Sequence, residues 1–408
     1  MRTIYILLFA LIIASCTNKQ EIAQWRGVNR DGMFSDKNLL KSWPDNGPKL
    51  LWAYEEAGDG YGSVAVTSDK IFLNGVIDST SYLIALNPNG KLIWKSPNGP
   101  GYVGEGFTAS FPGSRSTPTI IDDLVYASSG MGRVACYDAE TGQEKWAVDM
   151  LNDLHGVLAD FGYGESLLID DNKVFCYPGG KDHNMVALDR FTGEIIWSSD
   201  ALLDTAAHCS PIVVNLPGRK VLVNFSIHDM IGLDAETGEL LWTNKQEKRK
   251  YNELSLTPIF RDGYLYYVQG DGNGAVKLKI ADNGASITEI WRNYIDRNSM
   301  NGFLIVGDKL YSMSNKNELN VLDIETGVKT DSLKLRNGAI IYADNMIYCY
   351  SDNGEVHLLD ITKSPIEETG TLKIEKGTRH HFARPVIGNG VLYIRHGNAL
   401  MAYNLKES

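Results

Sequence analysis

The sequence predicts an all-β fold, an eight-bladed β-propeller of four-stranded antiparallel blades, on three observations. A ten-residue phrase recurs as YDAETGQEKW (Tyr137 to Trp146), LDRFTGEIIW (Leu188 to Trp197) and LDAETGELLW (Leu233 to Trp242). Each copy closes a series of short apolar runs rich in β-branched and aromatic residues and bounded by Gly, Asp and Asn, and helical periodicity is nowhere sustained. The two ends of the chain hold complementary fragments of one repeat, which a closed ring requires.

The elements follow in chain order. MRTIYILLFALIIASC carries a single charge, Arg2, and an apolar run from Ile4 to Ala14 that is too short for a typical membrane span and suits a secretory signal. Its ending, IASC, resembles a bacterial lipobox. That resemblance implies a lipoprotein signal peptide over 1–15, lipidation of Cys16 and a lipid-anchored linker over 16–24. Thr17 follows the cysteine, rather than the Asp that retains lipoproteins in the inner membrane of enteric bacteria, so the implied destination is the outer membrane, facing either the periplasm or the cell surface. Residues 25–408 read as one propeller domain.

Within it, TPTIID, LVYASS, GRVACYDA and QEKWAVD spell out one four-stranded unit. The units close at Trp52, Trp94, Trp146, Trp197, Trp242 and Trp291, spaced 42 to 52 residues apart. Two later copies, Leu319 to Leu335 and Glu355 to Ile374, keep the frame and lose the tryptophan. The last copy, RPVIGNGVLYIRHGNALMAYNLK, has three strands, whereas PKLLWAYE around Trp52 lacks the three that should precede it. Together they make the eighth blade. In each phrase the Asp and Thr can bond the tight TG turn, Gly can take a positive φ, and the tryptophan can lie flat against the neighbouring blade if its N–H finds an acceptor. These tryptophans are read as docking residues.

The repeat resembles the tryptophan-docking motif of the quinoprotein alcohol dehydrogenases, which are eight-bladed propellers, and the resemblance covers nearly the whole chain from Trp25 onward. The opening Trp25-Arg26-Gly-Val-Asn-Arg30-Asp31-Gly32, with SWPDNGPKLLW, is similar to that of secreted PQQ-like propeller proteins. The same repeats occur in the β-propeller lipoprotein of the outer-membrane protein assembly machinery, which binds no quinone. In the dehydrogenases, a quinone in the central funnel stacks on a tryptophan and on a disulfide between adjacent cysteines, and a Ca²⁺ held by Glu, Asn and Asp polarises it. This sequence has no adjacent cysteines, so a cofactor is not expected, and PQQ with Ca²⁺ is the alternative.

Composition narrows the function further. With 39 Lys and Arg against 50 Asp and Glu the net charge is −11, and no basic block exists, which argues against nucleic acid as a partner. Cys136, Cys176, Cys209 and Cys349 lack CxxC spacing and are expected to be small buried hydrophobes. The eight histidines are scattered; the adjacent His380 and His381 point to opposite faces if the segment is a strand, so no metal site is expected. GDGNGAV (Gly270 to Val276) reads as a plain β-turn.

Propeller sites lie where inner strands meet the channel. The residues just before each first strand are Tyr61, Arg115, Tyr163, Glu165, His208, Glu253, Asn301, Arg336, His380, His381 and Arg384. They are expected to form a ring of both charge signs at one channel mouth, either satisfying one another or holding a sugar or small anion. The function expected is that of a lipid-anchored, extracytoplasmic, monomeric binding protein, without quinone redox activity. It would take a partner protein, such as an outer-membrane protein, or a carbohydrate such as a polysaccharide, or a small polar ligand. The alternatives are a PQQ-dependent dehydrogenase and an enzyme acting on a carbohydrate through the polar ring.

Overall fold

The computed structural model describes residues 22–200, 202–247, 254–270, 272–294 and 302–407. They form eight sheets, each built on four antiparallel strands ordered from the channel outward, and in seven of them the four are consecutive in the chain. Blade 4 shows the plan: Ile212–Leu216, Arg219–Phe225, Asp229–Asp234 and Leu240–Lys245 pair in sequence order. The inner strand descends from what we call the upper face, and the hairpin after it and the TG turn both lie on the lower face. Among the described residues no helix is long and apolar enough to cross a membrane. The four described cysteines are free and fully buried.

The eighth blade closes as the repeat count requires. Val386–Gly388, Val391–His396 and Ala399–Asn404 form its inner three strands, and Leu50–Tyr54 is its outermost, with Trp52 opposite Ala402. Arg395 locks the seam to blade 1: its buried guanidinium donates to the carbonyls of Gly58, Gly62 and Asn74. Arg379 adds an ion pair to Asp59 at 3.0 Å.

The repeated phrase is a joint between neighbouring blades. Trp197 Nε1 donates to Ala235 O of blade 4 at 3.1 Å, and Trp94, Trp146, Trp242 and Trp291 each donate to the next blade's turn in the same way. Trp52 carries the pattern across the seam, donating to Pro88 O at 2.9 Å. The TG glycine is the seat of the preceding blade's tryptophan. A Cβ on Gly238 would lie 2.5 Å from the Trp197 ring, and Gly238 holds φ +78. The turn aspartate is used as expected: Asp323 Oδ1 accepts from Thr326 N at 2.8 Å and from Thr326 Oγ1 at 2.7 Å.

Blade 7, which has no tryptophan of its own, borrows one. In blades 2 to 5 the docking tryptophan sits just after a register shift in the outer strand, as Trp146 does opposite Cys136. The corresponding position in blade 7 is Gly370, opposite Leu358. Trp43, from the N-terminal segment, fills the space above it, 2.7 Å from where a Gly370 Cβ would stand. Trp43 also contacts Tyr348 of the blade's second strand (6.0 Å), as Trp146 contacts Tyr126 (6.2 Å).

The N-terminal segment also crosses the channel. Ile22–Ala23 pairs with the lower end of blade 2's inner strand, and Met33–Phe34 runs parallel to blade 7's inner strand. Between them Arg26 donates to Thr257 O and Phe303 O, and Arg30 to Ser166 O and Leu167 O. Arg26 and Arg30 have positive φ values of 62° and 58°. Gly32 (φ +81) is pressed against Leu304, whose side chain would lie 2.8 Å from an added Cβ. This WRGVNRDG plug ties blades 2, 3, 5, 6 and 7 together and divides the channel into an upper cavity and a lower recess.

Candidate functional site

The channel wall is set by a belt of hydroxyls at the tops of the inner strands. Ser63 N donates to Thr117 Oγ1 (3.1 Å), Thr117 N to Ser166 Oγ (2.9 Å), Ser166 N to Ser210 Oγ (2.9 Å) and Ser210 N to Thr257 Oγ1 (3.3 Å). Each blade thus satisfies a backbone donor of the one before it. The belt fixes the height at which the loops above it turn inward.

Above the belt lies a cavity of about 380 Å³. Trp25 of the plug and the buried Arg384 lie at its base, with the Arg384 Cζ 5.4 Å from the indole centroid. The walls are aromatic. Phe111, His380 and Phe382 stack in series (4.9 Å at 24°, 5.0 Å at 8°), Tyr61 leans on Phe382 at 5.6 Å, and Phe161 stands edge-on to Phe111 at 5.8 Å. Phe107, 63% exposed, continues the wall outward.

Arg115 braces this wall from within. Its guanidinium lies 4.9 Å from the Tyr102 ring, 5.6 Å from Tyr61 and 5.8 Å from Phe161, and it donates to Gly113 O and Phe111 O. His208 lines the cavity with Nε2 3.0 Å from Gly162 O, and since a carbonyl can only accept, that nitrogen carries the proton. The Tyr61 hydroxyl is buried at the site with no hydrogen-bond partner, and burial raises its pKa. Burial, helped by nearby Arg26, pulls the Arg384 pKa well below the usual guanidinium value.

Of the residues read from the sequence, Tyr61, Arg115, His208 and Arg384 line this cavity, and His380 stacks in its outer wall. The others are placed differently. Tyr163 is buried behind the wall and donates its hydroxyl to Pro178 O at 2.9 Å. Glu165 is 1% exposed and accepts from Tyr177 N at 2.7 Å; burial is the main force raising its pKa to about 7. His381 turns away from the mouth, stacks on His396 at 3.8 Å and bonds Tyr350, and burial and then His396 lower its pKa to about 4. Arg336 pairs with Asp352. Glu253, Asn301 and Cys16 lie outside the described residues.

The described residues do not bring a ring of both signs together: Glu165 is buried behind the wall and Glu253 lies outside them. Among the described residues lining the cavity there are two guanidiniums and an imidazole, no carboxylate, and five aromatic side chains beyond Tyr61: Trp25, Phe107, Phe111, Phe161 and Phe382. Three of these stand in the same loop phrases as the polar residues, as in FPGSRSTP, DFGYGES and HHFARP. A phenylalanine ring has no titratable group to mark it in such a phrase. Trp25 carried no such signal, because only the plug's path brings it to the channel.

The donor set also bears on metals and quinones. The one close acidic group found among the described residues, Asp170, Asp171 and Glu236, lies on the lower face and is bridged by lysines: Lys220 sits 2.7 and 2.6 Å from the two aspartates and Lys173 2.7 Å from Glu236. Around the upper cavity the aromatic walls and guanidiniums suit a planar anion. The described lining has no carboxylate to hold Ca²⁺, and the four buried cysteines are not adjacent, so these residues do not fit the quinone–calcium centre.

Eight blades, docking tryptophans and a plugged central channel define a PQQ-like β-propeller. The chain belongs to the family described as outer membrane protein assembly factor BamB, which matches residues 79–333, more than half of the sequence. BamB from Moraxella catarrhalis superposes with a TM-score of 0.61 at 15% identity, over 88% of this chain and 98% of that one. The quinohemoprotein alcohol dehydrogenase ADHIIG from Pseudomonas putida HK5 superposes with a TM-score of 0.63 at 14% identity, over 93% and 79%. At those identities the likeness is one of fold. A curated relative, the dehydrogenase subunit of a quinone alcohol dehydrogenase from Gluconacetobacter polyoxogenes, is 30% identical over 96 residues, 22% of this chain and 12% of that protein.

Proposed function

We propose that this protein is a lipid-anchored binding protein of the outer membrane whose upper channel takes a small anion with a flat face, such as a carboxylate-bearing sugar ring. One observation carries the reading: a buried guanidinium, Arg384, lies beside Trp25 at the base of an aromatic-walled cavity of about 380 Å³ in a chain of net charge −11. Such a volume is within the range of small-molecule sites. Aromatic faces suit the apolar side of a ring, and a carboxylate near a buried guanidinium offsets the cost of burying both. Calorimetry with uronic acids and their neutral counterparts tests the assignment. We expect the acid to bind and Phe382→Ala to weaken it about tenfold, an effect near 1.4 kcal/mol; equal affinity for the neutral sugar would refute the anion.

The channel works without a quinone in this reading. Incubation with PQQ and Ca²⁺ should leave no chromophore on the protein and no dye-linked alcohol oxidation, and either signal would overturn it. Membership in the BamB family supports a second reading, in which the occupant is a segment of an outer-membrane protein. Exposed Val103 and Phe107 on one mouth loop and Val157 on the next favour it. Cross-linking from Phe107→Cys in cells distinguishes the two, since a small ligand leaves no protein adduct.

A further inference from the structure

The direction in which the chain leaves the propeller has a consequence for its placement. Ile22 pairs with Ile121, next to the hairpin at Asp122 and Asp123, so the chain enters the channel from the lower face near its axis. Six residue steps separate Cys16 from Ile22, a reach of roughly 20 Å even when fully extended. A lipid on Cys16 therefore holds the lower face close to the bilayer, however those residues are arranged. The same tether cannot bring the upper mouth to the membrane unless the propeller lies on its side.

The lower face also carries a rim that suits a lipid surface. Where the outer strands leave their turns, aliphatic side chains stand in solvent: Leu50 and Leu51 in blade 8, Leu92 and Ile93 in blade 1, Ile195 and Ile196 in blade 3. Each of these is 40–51% exposed. Leu240, Ile290 and Val328 continue the series in blades 4, 5 and 6, at 39%, 48% and 60%. The lysines nearest these turns are paired across blades: Lys70 with Glu140 (2.5 Å), Lys173 with Glu236 (2.7 Å) and Lys277 with Glu325 (2.8 Å). A ring of exposed aliphatic side chains beside the point where the chain leaves the propeller suits contact with a lipid surface.

We infer that the lower face of the propeller, with its aliphatic rim, lies against the bilayer that holds Cys16, so that the upper cavity opens away from the membrane. The inference rests on the lipid-anchored reading above. It deepens that reading by assigning which face meets lipid and which meets ligand.

The test uses the full lipidated chain reconstituted into phosphatidylcholine vesicles that contain a lipid-bound energy acceptor. A donor dye is placed at Phe191→Cys, in a lower turn, or at Lys316→Cys, in an upper hairpin; the four described native cysteines are buried, and Cys16 carries the lipid in this reading. Strands of six residues put the faces at least about 20 Å apart, so transfer from the lower dye should exceed that from the upper dye by about threefold or more. Leu92→Glu with Ile195→Glu should reduce the lower signal while the chain stays lipidated and vesicle-bound. Equal transfer from both dyes, or stronger transfer from the upper one, would overturn the orientation alone. An intact mass showing no lipid on Cys16 would instead remove the anchor reading, and this inference with it.

Discussion

Glu165 is a carboxyl group held where a carboxylate is costly. It sits behind the cavity wall with Tyr177 N and Asn224 as hydrogen-bond partners, and burial outweighs these and the distant Arg30 in setting its pKa near 7. An unfolded glutamate titrates near 4.3, so between about pH 4.5 and 7 the folded chain keeps a proton that the unfolded chain has released. This group's contribution to stability therefore falls as pH rises through that window and is level above it. Glu165→Gln keeps an acceptor for Tyr177 N and removes the titration. Thermal melts should show the variant more stable than the parent at pH 8, by on the order of 3–4 kcal/mol, and much closer to it at pH 4.5. A variant less stable at both pH values would show that the charge is favourable in the fold.

The docking tryptophans are the other residues on which stability turns. Trp197 is 8% exposed, with its N–H on Ala235 O, and Trp197→Ala should cost about 3–5 kcal/mol in chemical denaturation. Trp43→Ala should cost a similar amount, about 3 kcal/mol or more, although Trp43 belongs to no repeat. A loss below about 1 kcal/mol at Trp43, the level of an ordinary surface change, would show that blade 7 does without it.

At the scale of elements, blades are joined by two sets of bonds at different heights. The tryptophan joints lie outside, near the lower turns, and the Ser/Thr belt lies inside, at the top of the channel. Ser166 belongs to both the belt and the plug: its Oγ accepts from Thr117 N, and its carbonyl accepts from Arg30. Ser166→Ala leaves a buried amide without its acceptor, a loss of about 1–3 kcal/mol. The defect is local, so amide exchange should speed up at Thr117 and its neighbours in blade 2 while the outer strands keep their protection. Uniform loss of protection across all blades would mean that the belt is not a separable element.

For the whole molecule, the N-terminal segment is what makes the ring complete. Residues 22–54 pair with blade 2, plug the channel, pair with blade 7, lend it Trp43 and end as the outer strand of blade 8. Deleting 25–56 removes the plug and Trp43 and bares the edge of Ala399–Asn404. Bare edges recruit other strands, so the truncated chain should aggregate or lose its cooperative melt. A soluble monomer with an unchanged melting temperature would contradict the closure.

The sequence alone determined the blade and its number. The D-x-x-TG-x-x-x-W phrase works through contacts a few residues apart and one identical neighbour away, so a spacing of 42 to 52 residues is enough to count blades, to read Trp197 as a joint and to expect Leu50–Tyr54 at the seam. It also marked Tyr61, Arg115, His208 and Arg384, because every inner strand begins at the same mouth. Only the tertiary structure decided what those loops do there. A side chain two residues from the mouth can face the channel or the inter-blade core, and that choice sent Glu165 and Tyr163 behind the wall while Phe111, Phe161 and Phe382 formed it. The positions of Trp25 and Trp43 were likewise hidden, since each depends on a partner hundreds of residues away, Arg384 for one and Gly370 for the other. Repetition makes local contacts legible in a chain, whereas contacts across the channel occur once and leave no period to read.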